Sequence, residues 1–406
     1  MNFQPKFDSG KPVDGGFLPA VPKPEPELTK KPPEDKARGL IARLSLIGFI
    51  VALASRATDP IIPPIAHDIQ VDPNAVALLT TAFALPFALV QPVLGPVGDM
   101  VGKVRVMIAC LAVTILAMVA SGLATNFTVL LVARIVAGAA AGGIFPVGIA
   151  VIGDLVPVKE RQVAIGRWLT AVITGNLLGS SLAGVVGDLV GWRGVFFVIT
   201  ALGALALGVA LFTLRKAARA KPVQLSLSGF SRGYGKVFAN PRAKVCFGAV
   251  FVEGIVIFGL FPFVALLLLA AGEPRASIAG AVIAGFSLGG VIYALAVPRL
   301  VARWRPDQLM IGGGVIAAFT LLGFGFYTLH ASIQVQATEL SPVARGAAMS
   351  LHSFSFFMGH ASGPVLYGLG FMTLGSAITL TISAIIIMAV GFVCSRLLRE
   401  RTAAAA

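Results

Sequence analysis

The sequence predicts an all-α membrane protein that crosses the bilayer about eleven times, and three observations carry that prediction. Hydrophobic residues make up 57% of the 406-residue chain and charged residues only 12%, with a mean hydropathy of +0.89. A soluble domain of this length cannot cover its surface with so few charges. Long runs also carry no formal charge: 26 residues between Asp72 and Asp99, 20 between Arg167 and Asp188, 21 between Arg193 and Arg215, and 23 between Arg275 and Arg299. Each matches the roughly 20 apolar residues that a membrane-spanning helix needs. None shows the alternation of a barrel strand, the other backbone form that hydrocarbon tolerates. Finally, the basic residues gather between these runs on alternate sides. With the N-terminus cytoplasmic and one extra crossing argued for below, 28 of the 32 Lys and Arg fall on the cytoplasmic side. Arg56, Arg193 and Arg275 lie toward the outside and Arg134 within a helix. That is the positive-inside bias, so the net charge of +14 reports topology and not nucleic-acid binding.

The elements follow in order. Residues 1–37, polar and rich in Pro, Lys and Glu, read as a disordered cytoplasmic tail without a cleavable signal. A first helical half, 38–214, holds spans 40–64, 75–97, 105–124, 128–152, 165–187 and 193–214. A cytoplasmic linker, 215–244, carries eight basic residues. A second half, 245–398, holds spans 245–271, 276–298, 309–338, 346–368 and 373–395, and 399–406 forms a second cytoplasmic tail. The 46 glycines, often four apart inside spans, suit closely packed helices. Cys110, Cys246 and Cys394 fall in hydrophobic runs at no metal-ligand spacing, so buried apolar thiols are expected.

An internal repeat relates the halves. Asp154-Leu155-Val156-Pro157-Val158 is echoed by Glu339-Leu340-Ser341-Pro342-Val343, and Gly138 and Gly323 each sit 16 residues upstream of the acid. Gly175, Gly179 and Gly184 have the spacing of Gly359, Gly363 and Gly368. Asp99, Lys103 and Arg105 are matched more weakly by Arg299, Arg303 and Arg305. Two similar halves, parallel in the membrane, follow. The same ruler exposes a shortfall: 49 residues separate Arg105 from Asp154, but only 34 separate Arg305 from Glu339. Two crossings of roughly 20 residues and a turn do not fit there. Met310 to Gly313 looks like the start of a ninth helix and Gly323 to Glu339 like the cytoplasmic half of a tenth. A single crossing over 309–338 would put Arg345, Arg396, Arg399 and Arg401 outside, against the charge bias. Helices nine and ten are therefore expected to be shortened or fused around Ile316 to Leu322. Either a segment is absent from this sequence, leaving a gap wider than the ~3.8 Å between consecutive Cα atoms, or the deletion is natural and transport weak or absent.

Gly95-Pro96-Val97-Gly98-Asp99-Met100-Val101-Gly102-Lys103-Val104-Arg105, between the second and third spans, combines glycines for a tight turn with an acid able to neutralise a helix N-terminus or a base. It resembles the signature of the major facilitator superfamily, and the resemblance covers nearly all of 38–400. It is nearest to the bacterial drug:proton antiporter-like members with twelve helices. The resemblance implies two pseudo-symmetric six-helix bundles, a central cavity and alternating access. It further implies that this gate loop (Gly95, Asp99, Gly102, Lys103, Arg105) clamps the halves in the outward-open state and that Arg105 pairs with Asp154. The second copy has Arg299 in place of the acid, so the gate is asymmetric. Arg134-x-x-x-Gly138 resembles the fourth-helix signature tied to proton coupling, with Ala137 replacing the usual Gln; a tether to backbone carbonyls is the alternative. Gly175 to Gly184 and Gly359 to Gly368 resemble the fifth-helix antiporter signature. Its Gly-Pro pair is kept at Gly363-Pro364 and replaced by Gly179-Ser180 in the first copy.

Other residues stand out by position. Arg56 and Asp59 share a helix face before Pro60, Pro63 and Pro64, as either a coupling acid or a superficial ion pair. Glu253 stands alone in an uncharged run with no Lys or Arg within a turn. Burial disfavours its ionised form, which suits a group that binds and releases protons. Asp59, Arg134 and Glu253 are the proton-coupling candidates. Arg56, Asn176, His330 and Gln334 are the cavity candidates; Gln336, and His352 with His360, could also line a cavity, packing being the alternative for each histidine, and the Phe354, Phe356, Phe357 cluster reads as lipid-facing or core. Gly102-Lys103 fails the phosphate-loop pattern, and no nucleophile–base pair or metal-ligand cluster points to an enzyme, a metal or a cofactor. The expected protein is a monomeric, multi-pass protein of the bacterial inner membrane whose partners are a small molecule, protons and lipid. The first expectation is export of a hydrophobic or amphiphilic compound against protons. A proton-symport importer of a sugar or organic acid, and a non-transporting sensor, are the alternatives.

Overall fold

A computed structural model of the protein describes residues 34–156, 158–214, 234–303, 319–341 and 345–398, and every element among them is helical. Helix α1 (Glu34–Arg56) runs up to Pro60, Pro63 and Pro64, which cannot donate to the preceding carbonyls. The chain tightens into a 3₁₀ turn, Asp59–Ile61, and resumes as α2 (Ile62–Ile69). The first crossing therefore reaches Ile69, five residues past the expected boundary. Asp72 opens α3 (Pro73–Val101) by accepting the Asn74 N–H at 2.7 Å. Gly102, at φ 110°, makes the left-handed turn into α4 (Lys103–Gly122) that a side chain would strain. Asn126 caps α5 (Phe127–Gly142), accepting the Val129 N–H at 3.0 Å, and α6 (Ile144–Leu155) completes that crossing.

Helix α7 (Val158–Thr213) holds two crossings divided at Gly191, where φ is 77°. Helix α8 (Arg242–Glu253), a π-helical turn (Gly254–Phe258) and α9 (Phe261–Ala270) form the next crossing. Helices α10 (Ala276–Arg303), α11 (Phe319–Glu339), α12 (Arg345–Thr373) and α13 (Ser376–Leu397) follow. Eight stretches among the described residues are long and apolar enough to cross a membrane, and one, Arg167–Thr213, has the 47 residues that two crossings need. Large apolar side chains such as Phe212, Leu205, Leu295 and Met372 are exposed on the outside of the bundle, as a lipid-facing surface requires.

The repeat seen in the sequence is a repeat of packing. Gly175 and Gly179 of α7 lie against the carbonyls of Phe49 and Leu53 on α1; Gly359 and Gly363 of α12 lie against those of Phe251 and Ile255. Likewise Gly138 of α5 meets the carbonyl of Phe83 on α3, and Gly323 of α11 meets that of Phe286 on α10. One turn on, Gly142 packs on Phe87 and Tyr327 packs on Gly290, so the small residue changes helix while the contact is kept.

These contacts place α11 parallel to α10, as α5 is to α3. Helix α11 thus takes the place of the fourth helix of its half and is not the antiparallel neighbour that follows α10. Measured between equivalent contacts, Phe87 to Gly138 spans 51 residues and Gly290 to Gly323 spans 33, a difference of 18. The expected 309–338 span is therefore replaced by a helix starting at Phe319. Met310 to Gly313 and the part of the expected break before Phe319 fall on 304–318, outside the described residues, while Phe319 to Leu322, also within the expected break, are helical.

Two seams run between the halves, besides the packing of α9 on the 3₁₀ turn and α2. On one, α3 packs on α12, with the Thr81 hydroxyl donating to Ala361 O at 2.7 Å and the Phe87 and Phe357 rings 4.2 Å apart. On the other, α7 packs on α10 through Gly184, Ser180 and Gly280. At the end of that seam the Asp188 carboxylate accepts the N–H groups of Ala276 and Ser277, both at 2.9 Å. A residue of one half thereby caps the first helix turn of the other.

Candidate functional site

A cavity between the halves encloses about 190 Å³ and is lined from both. Helices α1 and α7 bring Arg56 and Asn176; α11 and α12 bring His330, Gln334, His352 and His360. The walls are aromatic: Phe83, Phe87, Trp168, Phe258, Phe326, Tyr327, Phe356 and Phe357. Gly48 and Gly148 make room for the Trp168 indole, since a Cβ on either would come within 2.9 Å of its ring. All four residues expected at a cavity are on its wall. His352 and His360, for which cavity and packing were both open, line it too, as do Phe356 and Phe357, expected to face lipid or core. Trp168, Phe258 and Tyr327 were not expected; their only signal is aromaticity at helical spacing, which a packed core shares.

Two buried titratable clusters flank this cavity. In the first half Asp59 is fully buried, accepting from Thr80 Oγ1 at 2.9 Å and facing Arg56 Nη1 at 3.5 Å. The pair is not superficial, because the break in the first crossing turns both residues inward. Arg134, also fully buried, donates from Nη1 to Ala54 O at 3.3 Å, and its guanidinium lies 4.5 Å over the Phe83 ring. Its Nε and Nη2 find no hydrogen-bond partner among the described residues.

In the second half Glu253 is fully buried and its Oε2 lies 2.9 Å from His330 Nδ1. The expectation of a carboxyl without a partner is corrected: the partner comes from α11, 77 positions along the chain, beyond the reach of sequence-local pairing. Glu253 ends α8 where the π-helical turn begins, a distortion that in helices accompanies functional positions. The Tyr367 hydroxyl donates to Val256 O within that turn at 2.8 Å. Glu253 Oε1, His352 Nε2 and both His360 ring nitrogens have no hydrogen-bond partner among the described residues. The His330 and His352 rings are 5.0 Å apart.

The remaining expected residues are dispersed. The side chains of Gly95, Asp99 and Asp154 lie outside the described residues, so the Arg105–Asp154 pair does too; Arg105 Nη1 donates to Val101 O at 3.4 Å. Lys103 begins α4 directly after Gly102. Gly368 approaches Phe263, and Pro364 lies inside α12. Among the described residues no group of three or more His, Cys, Asp and Glu could hold a metal.

Residues 44–330 match the family model of the Major Facilitator Superfamily. The chain belongs to the Major Facilitator Superfamily. It is therefore a multi-pass membrane transporter of small molecules and not an enzyme. Among curated relatives it is 27% identical over 286 residues to the uncharacterized MFS-type transporter YfhI of Bacillus subtilis, covering 69% of this chain and 70% of that one. It is 25% identical over 348 residues to multidrug resistance protein 1 of the same organism, covering 80% and 87%. It is 25% identical over 209 residues to the probable multidrug resistance protein EmrY of Escherichia coli, covering 50% and 41%. Its fold resembles the crystal structure of a bacterial homolog to the human lysosomal transporter Spinster in an inward-facing, unoccupied conformation. There the TM-score is 0.69 at 20% identity, covering 90% of this chain and 98% of that one.

Proposed function

We propose that this transporter exports a small hydrophobic or amphiphilic compound by alternating access, driven by proton entry, and that Glu253 is the carboxyl that carries the coupling proton. The observation that supports this most is the pair of Glu253 and His330. Glu253 is sealed from solvent, whereas His330 lines the cavity. At 2.9 Å one proton serves both partners: neutral His330 donates to the carboxylate, or the protonated carboxyl donates to the imidazole. Whatever enters the cavity against His330 therefore shifts the proton that Glu253 holds, which is the linkage an antiporter needs. The kinship with multidrug proteins and the aromatic cavity wall support an apolar or amphiphilic cargo over a sugar.

Asp59, held between Arg56, Thr80 and Arg134, is the second protonatable carboxyl of the cycle. Contacts that cross between the halves extend from the cavity to the end carrying Asp68 and Asp188, and the opposite end faces the cytoplasm by the positive-inside rule. We assign this arrangement to the inward-facing state, with the Asp99 loop clamping the halves when the cavity opens outward. Reconstitution into liposomes with an imposed pH gradient tests the coupling. Glu253→Gln should abolish uphill transport while exchange down a substrate gradient remains measurable. Normal uphill transport by that variant would remove Glu253 from the mechanism.

A further inference from the structure

Resting on the transport reading above, we infer that the cavity selects anionic amphiphiles, with a carboxylate or equivalent acid seated between Arg56 and His360 close to Phe258 and an apolar tail among the aromatic walls.

The charge inventory of the wall carries the argument. Among the described lining residues the titratable groups other than Tyr327 are Arg56, His330, His352 and His360. Among the described residues no carboxylate lines the cavity: Asp59 lies behind Arg56 and Glu253 behind His330, each fully buried. A cationic guest would meet the guanidinium of Arg56, which Asp59 approaches only from behind the wall and at 3.5 Å, a like-charge contact that is expensive where water is excluded. An anionic guest would gain charge-assisted hydrogen bonds.

Arg56 keeps donors for them beyond its pair with Asp59. Its hydrogen bond to Asp59 is long, 3.5 Å against the about 2.7–2.9 Å of a strong charged pair, and its remaining donors have no hydrogen-bond partner among the described residues. Its guanidinium lies 4.4 Å from the Phe258 ring centroid, and the His360 ring lies 5.1 Å from the same centroid. His360 is only 4% exposed, yet neither ring nitrogen has a partner among the described residues, a cost that an acid oxygen would relieve. Asn176, whose Oδ1 accepts from Ser55 at 3.2 Å, presents its amide donors from the first half.

The repeat gives this site its place. Continuing the register of the equivalent glycine contacts pairs Arg56 with Phe258 and Asn176 with His360. The four residues are thus two symmetry-related pairs around the pseudo-two-fold axis. A headgroup held there stays in place while the halves rock about it, and is presented in turn to either side.

Three probes that share a phenylalkyl tail and carry a negative, neutral or positive headgroup test the inference: 4-phenylbutyrate, 4-phenylbutanamide and 4-phenylbutylammonium. Each is titrated at pH 7.5 into the purified full chain in detergent, with the fluorescence of cavity-lining Trp168 as readout and Trp168→Phe as the signal control. The carboxylate should bind at least tenfold more tightly than the amide, and the ammonium most weakly. Arg56→Lys should narrow that gap and Arg56→Gln should close it. His360→Gln, which leaves the Arg56–Asp59 pair intact, should weaken the carboxylate and spare the amide. Equal or tighter binding of the ammonium, or no detectable carboxylate binding, overturns the inference even if every variant misfolds. The titration uses no gradient, so loss of proton coupling would leave the binding order unchanged. Conversely, uphill transport of other compounds with this order reversed would overturn only the anion site.

Discussion

The equivalence of Gly179 and Gly363 makes a quantitative prediction about stability. A Cβ on Gly179 would sit 2.6 Å from Leu53 O, and one on Gly363 would sit 2.8 Å from Ile255 O and 2.5 Å from the Cα of Gly259. Ordinary contact begins at 3.4 Å, so each alanine forces its helix pair apart by about 0.6–0.9 Å. The colliding atoms are backbone and cannot rotate away, and overpacking of this kind costs about 1–3 kcal/mol. Alanine also favours the helix over glycine by about 1 kcal/mol, so the net loss is about 0–2 kcal/mol. Gly208 and Gly248 isolate the second effect, because nothing lies within 4 Å of a Cβ at either. Gly208→Ala and Gly248→Ala should therefore be neutral or stabilising, while Gly179→Ala and Gly363→Ala lower the thermal midpoint by a few degrees. Cys110, Cys246 and Cys394 are all buried, so a thiol-reactive dye reports unfolding without added labels. If Gly363→Ala behaved like Gly248→Ala while Gly179→Ala destabilised, the packing repeat would be refuted.

Three further outcomes are expected. Asp188→Ala removes a cap shared between the halves, worth about 1 kcal/mol at an exposed site; spin labels at His67 and Ala271 should show the separated population rising about fivefold, and an unchanged distance distribution would show that the cap holds nothing shut. Asp99→Asn should raise the reactivity of cytoplasmic-side cysteine probes and lower turnover without loss of insertion, whereas unchanged accessibility with full turnover would reduce the loop to a turn. In the loop before α10, the Arg275 guanidinium holds the Glu273 carboxyl down at about 2, below the roughly 4.3 of a free glutamate. Such a group contributes fully above the unfolded value and loses its contribution as pH falls through the folded one. Any stability deficit of Glu273→Gln should thus be constant from pH 5 to 8 and shrink below about pH 4; a deficit that grows with acidity would contradict the pairing.

The helical class, the repeat and the shortfall near helix nine were legible because each follows from composition or spacing. Charge-free runs mark spans whatever they pack against, and glycines at matched intervals mark helix contacts. The end of the first crossing was less legible: three prolines within five residues signal a break but not that α2 resumes on the same path. The partner of Glu253 was hidden for a physical reason. His330 reaches it only because α11 packs beside α8, and residues 77 apart leave no periodic trace. The aromatic wall was hidden by degeneracy, since Phe356 and Phe357 would have the same spacing whether they faced lipid, core or cavity. Register could have recovered part of it, because aligning Gly175 with Gly359 already pairs Asn176 with His360.

The central claim, that substrate movement and proton movement are one process through Glu253, is tested most directly by following protons. The full-length protein is reconstituted with a pH-sensitive dye trapped in the lumen, and an outward substrate gradient is applied without any imposed pH difference. Substrate leaving the vesicles should drive protons inward and acidify the lumen in proportion to the substrate moved, and Glu253→Gln should move substrate with no change in lumenal pH. Equal substrate flux by the wild-type chain with an unchanging lumenal pH would contradict the account.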